Sequence, residues 1–327
     1  MRSFKLSEMN ELFRIENVPD KGLGMITTQH IAQGTLILSE AAIFTMDFKA
    51  TGRAARRKID RELQKLSQKD RDQFSALHSC FESKGLMDRV RTNAFLLEPG
   101  RGTSEVGIFL TASRINHSCT PNAYHSFNTN SRQLTVFAIK DIPENTEITI
   151  SYIDHLDYEK RRGILWERYR FTCDCELCEK RGSDRENSDN KFTYIQKVND
   201  LLGEDTYLIN PSDALDGMHW QMLALRAEGF GVGMMMAKVY FEASKLAYMH
   251  SDLARGKVFG ERAIEMRAIC LGINHPNVQM MGRFVERSKE QPKTAVWELG
   301  EDGIPTNLSE DSFEAWLWEH TKGLKLE

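Results

Sequence analysis

Three cysteines fall within six residues, Cys173, Cys175 and Cys178. The chain opens Met1-Arg2-Ser3-Phe4-Lys5-Leu6, with no apolar leader segment. A C-x-C-x2-C run in such a chain reads as a metal site in a reducing compartment, not as a disulfide framework. Structural zinc takes four ligands in a tetrahedron, and a fourth is not at hand in the neighbouring sequence. Any fold this chain adopts must therefore bring a distant side chain back to this run. The remaining cysteines, Cys80, Cys119 and Cys270, stand alone.

Two further stretches carry chemistry. Ser113-Arg114-Ile115-Asn116-His117-Ser118-Cys119-Thr120-Pro121-Asn122 is a polar loop between apolar runs, better suited to a site than to a core. Glu147-Ile148-Thr149-Ile150-Ser151-Tyr152 alternates with period two and predicts a half-buried strand. A tyrosine that closes such a strand can bury its ring and keep its hydroxyl at the rim. Together the segments Asn116–Asn122 and Glu144–Tyr152 resemble the SET-domain protein lysine methyltransferases. One departure is Asn145, where a glycine is usual. Asn is the non-glycine residue that best tolerates left-handed backbone, so the turn is expected to survive.

The resemblance extends along the chain. Lys21-Gly22-Leu23-Gly24-Met25 and Ile31-Ala32-Gln33-Gly34 match the glycine pair and Ile-x-x-Gly turn that open such domains, followed by an acidic residue, here Glu40. Alone, the glycine pair reads as a hairpin turn. The family implies an S-adenosylmethionine pocket lined by Lys21, Gly22, Gly24, Asn93, Ser113, Asn116 and His117, closed by the aromatics Tyr169 and Phe171. Asn93 reads equally as a turn asparagine, and Tyr169 and Phe171 as anchors of the cysteine lobe. Tyr152 is implied as the catalytic hydroxyl. Cys119 is implied as the fourth zinc ligand beside Cys173, Cys175 and Cys178, with His117, His125 and His155 as nominal alternatives. His117 is otherwise expected as a structural hydrogen-bonder and Glu147 as a packing or salt-bridge residue.

The nearest overall resemblance is to the SET- and MYND-domain methyltransferases. The segment where their zinc-binding MYND module would lie holds one cysteine, Cys80, so that module is absent. The implied fold is α+β: a SET fold of short β-sheets with a knot-like crossing and a zinc-binding post-SET lobe, then an α-helical tetratricopeptide-like domain. The expected boundaries are 1–153 for the SET domain with a helical insertion at 47–91, 154–182 for the lobe, 183–190 for a linker and 191–327 for the helical domain. Met234–Met249 and Phe259–Leu271 predict an antiparallel helix pair, ending at Gly272.

Charge and hydropathy limit the partners. Lys and Arg total 43 against 47 Asp and Glu, a formal net charge of −4, so no overall excess exists for nucleic acid. No apolar run approaches the ~18 residues of a membrane span. The expected partner is a protein presenting a lysine, on a histone tail or a non-histone protein, met by a monomer in the nucleus and/or cytoplasm. A lysine amine, with a pKa of about 10.4, must lose a proton before it attacks, while the methyl donor is already a reactive sulfonium. The task is therefore alignment, desolvation and proton management. The rival readings are a non-catalytic SET scaffold that binds partners through its helices, and a zinc-dependent nucleic-acid binder. The first is opposed by the complete set Asn116, His117, Tyr152, Tyr169 and Phe171.

Overall fold

The structure is a computed structural model, and it describes residues 12–319 except 82, 84, 98–103, 154–156, 204–206, 208, 289–293 and 295. The chain divides into two compact units, Met1–Glu179 and Lys180–Glu327. The expected ligand His155 lies outside the described residues.

The first unit is built on three small sheets of short strands. β1 (Phe13–Val18) and β2 (Gly22–Thr27) form a hairpin whose turn is made possible by left-handed Asp20 and Gly22. β10 (Glu147–Ile150) adds to β2 antiparallel on one side and, on its other side, takes β7 (Asn116–His117) in parallel, with Thr149 opposite Asn116 and Ile150 opposite His117. β10 is thus an interior strand. Its Thr149 is buried along with Ile148 and Ile150, where alternation alone predicted a half-exposed strand. Burying that threonine is tolerable because its N–H donates to Asn122 Oδ1 at 2.8 Å. Asn145, at the turn before β10, has φ +58°, the left-handed conformation expected of it.

The second sheet orders β3 (Leu36–Ala41), β9 (Gln133–Ala138) and β8 (Ala123–Asn128). The third orders β4 (Phe44–Asp47), β6 (Glu105–Ile108) and β5 (Ala94–Leu96). The first two sheets share one apolar core that includes Met25, Ile37, Phe109, Leu134, Val136, Ile148 and Ile150. The insertion is helical as expected, in α1 (Gly52–Lys65), α2 (Gln68–Ser75) and α3 (Leu86–Asn93). Ala55, Ile59, Phe74 and Val90 from these helices cover the third sheet and close a second core with Phe44, Met46, Val106 and Ile108. α2 ends at Ser75, so Leu77, His78 and Phe81 continue its spacing outside the helix.

α4 (Tyr158–Tyr169), capped by Asp157, and the single turn α5 (Glu176–Glu179) frame the cysteine run. The second unit is helical: α6 (Gly182–Leu201), α7 (Pro211–Ala227), α8 (Met234–Met249), α9 (Leu253–Leu271), α10 (Pro276–Ser288) and α11 (Glu310–Trp318). α8 and α9 are the expected pair, joined by His250-Ser251-Asp252, with α9 starting six residues before Phe259 and stopping at Gly272, φ +81°. The linker expected at 183–190 is instead the first half of α6. Its Ser, Asp and Asn content reads as turn. Yet Ser188 is buried and donates to Glu228 Oε2 at 2.6 Å, and Phe192 and Ile195 continue a buried face, so tertiary packing overrides local preference. No helix among the described residues is long and apolar enough to cross a membrane.

Candidate active site and metal centre

The polar loop is aimed by a residue far away in sequence. Glu40, on β3, accepts the N–H groups of Thr111 and Ala112 at 2.9 Å each, at the start of the 3-10 turn Ala112–Arg114. Burial raises the Glu40 pKa while those bonds oppose the shift. The carboxylate satisfies orphan donors of the turn that delivers Ile115, Asn116 and His117. On the opposite side, Asn122 clips β10 in place: Nδ2 donates to the Glu147 carbonyl at 2.8 Å and Oδ1 accepts from Thr149.

The glycine hairpin joins this frame. Glu147 accepts from Asn116 Nδ2 at 2.8 Å through Oε1 and from Lys21 Nζ at 3.0 Å through Oε2. Gly24 is required here for space. A Cβ on it would lie 2.6 Å from Val18 Cγ2 and 2.9 Å from both Asn116 Nδ2 and Glu147 Oε1. Burial works against the Lys21 ammonium, but its bond to Glu147 prevails and holds its pKa above the ordinary value. Lys21, Gly24 and Asn116 are therefore brought together, with Glu147 between them, and its ion pair with Lys21 is the salt bridge expected of it.

Asn93 ends α3 and is buried. Its amide donates to the carbonyls of His78 and Arg89, both at 2.7 Å, and its own carbonyl accepts from Ser113 Oγ at 3.2 Å. Asn93 and Ser113 are thus neighbours. With both amide hydrogens engaged by backbone, Asn93 has only oxygen to offer a ligand.

Tyr152 stands where the strand expectation placed it, just past β10. Its hydroxyl donates to the Ile115 carbonyl at 2.6 Å. Burial raises its pKa, and the phenol of Tyr169 and the charge of Glu147 raise it further. The hydroxyl proton is thus engaged by the Ile115 carbonyl. The ring sits 5.0 Å from Tyr169, 6.5 Å from Phe171 and 5.3 Å from His117, with His117 5.8 Å from Phe171. Four rings therefore enclose one corner. Tyr169 is the last residue of α4, and Arg170 follows in the left-handed conformation, φ +60°, which ends the helix and turns Phe171 back toward Tyr152. An arginine gives no warning in the sequence of a left-handed helix cap.

His117 is bound at both nitrogens. Nδ1 accepts the Tyr152 N–H at 3.0 Å, so that nitrogen is unprotonated and the neutral ring carries its proton on Nε2, 3.2 Å from Cys119 Sγ. The structural role expected of this histidine is the one it has. The same Cys119 Sγ lies 3.9 Å from Cys173 Sγ and 3.5 Å from Cys178 Sγ. All four cysteine sulfurs, Cys119, Cys173, Cys175 and Cys178, fall within 4.8 Å of one another. A tetrahedron with metal–sulfur bonds of ~2.3 Å has edges of about 3.8 Å, so the four sulfurs fit zinc. No histidine is part of the set among the described residues. Burial instead lowers the pKa of His125 to about 4, and its ring packs edge-on to Phe95. His117 supplies an N–H to one sulfur, the kind of outer contact that orients a metal ligand.

Residues 22–153 match the SET domain model. The chain is 26% identical over 328 residues to the histone-lysine N-methyltransferase set5 of Schizosaccharomyces pombe, covering 97% of this chain and 96% of that protein. A stretch of 76 residues is 45% identical to the protein-lysine N-trimethyltransferase SMYD5 of Mus musculus, 22% of this chain and 18% of that protein. Another of 109 residues is 34% identical to the histone-lysine N-methyltransferase SMYD1 of Homo sapiens, 29% of this chain and 22% of that one.

Proposed function

We propose that the chain, whose residues 22–153 match the SET domain, is a protein-lysine methyltransferase that moves methyl groups from S-adenosylmethionine to a lysine of a histone or other protein. The observation that carries this reading is the corner formed by Tyr152, Tyr169, Phe171 and His117, with the Tyr152 hydroxyl fixed on the Ile115 carbonyl. Bound S-adenosylmethionine supplies a methyl already activated on a sulfonium. Lys21, Gly22, Gly24, Asn93, Ser113, Asn116, His117, Tyr169 and Phe171 hold and enclose it. The aromatic faces suit a corner that receives cationic groups. The Tyr152 hydroxyl orients the incoming amine, and water takes the amine proton, because the phenol proton is engaged by the Ile115 carbonyl. Zinc held by Cys119, Cys173, Cys175 and Cys178 would be structural, since four sulfur ligands would leave no position for a reactive water. The helical unit is read as tetratricopeptide-like.

The test uses labelled S-adenosylmethionine with histone octamers and a cell lysate. Label on lysine is expected, lost by 10²-fold or more in Tyr152→Phe with calorimetric S-adenosylmethionine binding unchanged. Asn116→Ala is expected to weaken that binding, because the half-buried Glu147 Oε1 loses its donor. Turnover of Tyr152→Phe within about twofold of wild type would remove Tyr152 from the centre.

A further inference from the structure

The helical insertion carries a charge distribution that the whole-chain balance hides. α1 holds six cations, Arg53, Arg56, Arg57, Lys58, Arg61 and Lys65, against two carboxylates, Asp60 and Glu62. In a chain of net charge −4, these fourteen residues carry a surplus of four positive charges. Ala55 and Ile59 are buried in the second core, which turns the cations outward, and Arg53, Arg56, Arg57, Arg61 and Lys65 are all exposed. Arg53, Arg57, Arg61 and Lys65 follow one another at intervals of four, a slowly turning row ~18 Å long at 1.5 Å per residue.

Little in the protein neutralises this row. Glu62 is bonded to Lys65 at 2.8 Å, but among the described residues no carboxylate forms an ion pair with Arg53, Arg56, Arg57 or Arg61. Like charges four apart on a helix repel, so the row opposes the stability of its own helix until an external anion meets it.

We propose that this face of α1 docks on the phosphate backbone of duplex DNA. The exposed positions of α1 are Arg, Lys, Gln, Gly and Ala. They include no aromatic or large apolar residue to anchor a protein interface or to stack on the bases of a single strand. What remains is a regular series of cations, most of them arginines, suited to phosphate oxygens. Each strand of a duplex presents one phosphate per ~3.4 Å of helix axis, so each of the four cations in an ~18 Å row has a phosphate to meet. Contacts of this kind position a protein without reading sequence. The docking face is independent of methyl transfer, since none of its residues belongs to the site around Tyr152.

The test is fluorescence anisotropy of the full chain with a labelled 30-base-pair duplex of arbitrary sequence, between 50 and 200 mM salt. Single-stranded DNA of the same length and poly-glutamate serve as competitors. The duplex is expected to bind regardless of sequence, with affinity falling linearly in log–log form as salt rises. Arg53→Gln, Arg57→Gln and Arg61→Gln combined should reduce that slope by about 2.7, at ~0.9 per lost phosphate contact. Gln64→Arg, which adds a cation to the same exposed face, should steepen it by about 0.9. Circular dichroism of both variants should match wild type, and methyl transfer to a free peptide should be unchanged. An unaltered slope in the triple variant, or no duplex binding at 50 mM salt, overturns the proposal. Poly-glutamate displacing the duplex at equal charge concentration would assign the face to an acidic protein instead. Loss of peptide methylation in wild type would fault the catalytic reading and leave the DNA measurement standing.

Discussion

The two units of this chain hold their shape in different ways. In the first, buried and half-buried polar side chains reach across long stretches of sequence to backbone groups. Glu40 takes the amides of Thr111 and Ala112, Asn122 clips Glu147 and Thr149, and Thr27 donates to Pro143 at 2.7 Å. In the second unit, helices press apolar faces together closely enough that a Cβ on Gly256 would lie 2.6 Å from the ring of Tyr248, and one on Gly260 2.7 Å from Val285. Its buried charges are paired, Glu228 with Lys180 and Lys191, and Asp252 with Arg255. Strands of two to six residues have little side-chain area with which to fix their own direction. The first unit therefore depends on directional bonds, which set where side chains point, and the second depends on packing, which sets how much energy holds it. A lesion in the first should damage aim before stability, and a lesion in the second should do the reverse.

The strongest way to test this contrast is Cys119→Ser. If the four sulfurs bind one zinc, the metal fastens the Asn116–His117 segment to the lobe that carries Tyr169 and Phe171, and its binding contributes folding free energy. Elemental analysis should give one zinc per chain in wild type and X-ray absorption only sulfur ligands. The variant should lose the metal and fall below a hundredth of wild-type turnover, with the helical unit's melting transition retained. Stoichiometric zinc and normal turnover in the variant would detach the metal from the site.

Asn122→Ala comes next. It strips a partner from the Glu147 carbonyl and the Thr149 N–H on an interior strand, at ~1–3 kcal/mol for each buried group left unpaired. β10 carries Glu147, so calorimetry should show weaker S-adenosylmethionine binding and kinetics a reduced kcat. Unchanged values for both would mean that β10 is held without this clip. Gly256→Val is the counterpart in the helical unit. Its methyls enter the space of the Tyr248 ring, and overpacking of this kind costs ~1–3 kcal/mol. Calorimetric melting of the helical unit should fall while kcat at 25 °C stays at the wild-type value. A fall in kcat with no change in melting would reverse the contrast.

The smallest effect expected is on pH dependence. Burial holds His125 near 4, against an ordinary value of about 6.5. The folded state therefore binds fewer protons than the unfolded state between those values. The contribution is complete above pH 6.5 and is lost as pH falls toward 4. His125→Phe should flatten the decline of melting temperature between pH 7 and pH 4.5, and a decline as steep as wild type would show that His125 does not contribute to it.

Much of the site was legible because its chemistry is local. The C-x-C-x2-C run, the Asn116–His117 loop, the strand leading to Tyr152, and Asn145 in a left-handed turn each depend on a few consecutive residues. So does the α8–α9 pair, whose apolar periodicity spans many turns. Other features were not visible in the same way. Residues 183–190 have turn-forming composition but become helix because Ser188, Phe192 and Ile195 find buried partners. The β8–β9 hairpin turns with Arg132 in the left-handed conformation, where neither a glycine nor an asparagine marks the position.

The amino-acid sequence by itself determined which groups are available: three clustered thiols, an Asn-His pair, a tyrosine at a strand end and an aromatic pair two residues from the cysteines. The tertiary structure alone decided how they are used. It joined Cys119 to a cluster more than fifty residues away, placed Glu147 between Lys21 and Asn116, engaged the amide of Asn93 with backbone carbonyls, and turned Phe171 toward Tyr152 through a left-handed Arg170. Local patterns depend on neighbours in the chain, whereas a hydrogen bond or a metal ligand set depends on distances of about 3–4 Å, and those exist only after distant segments have packed.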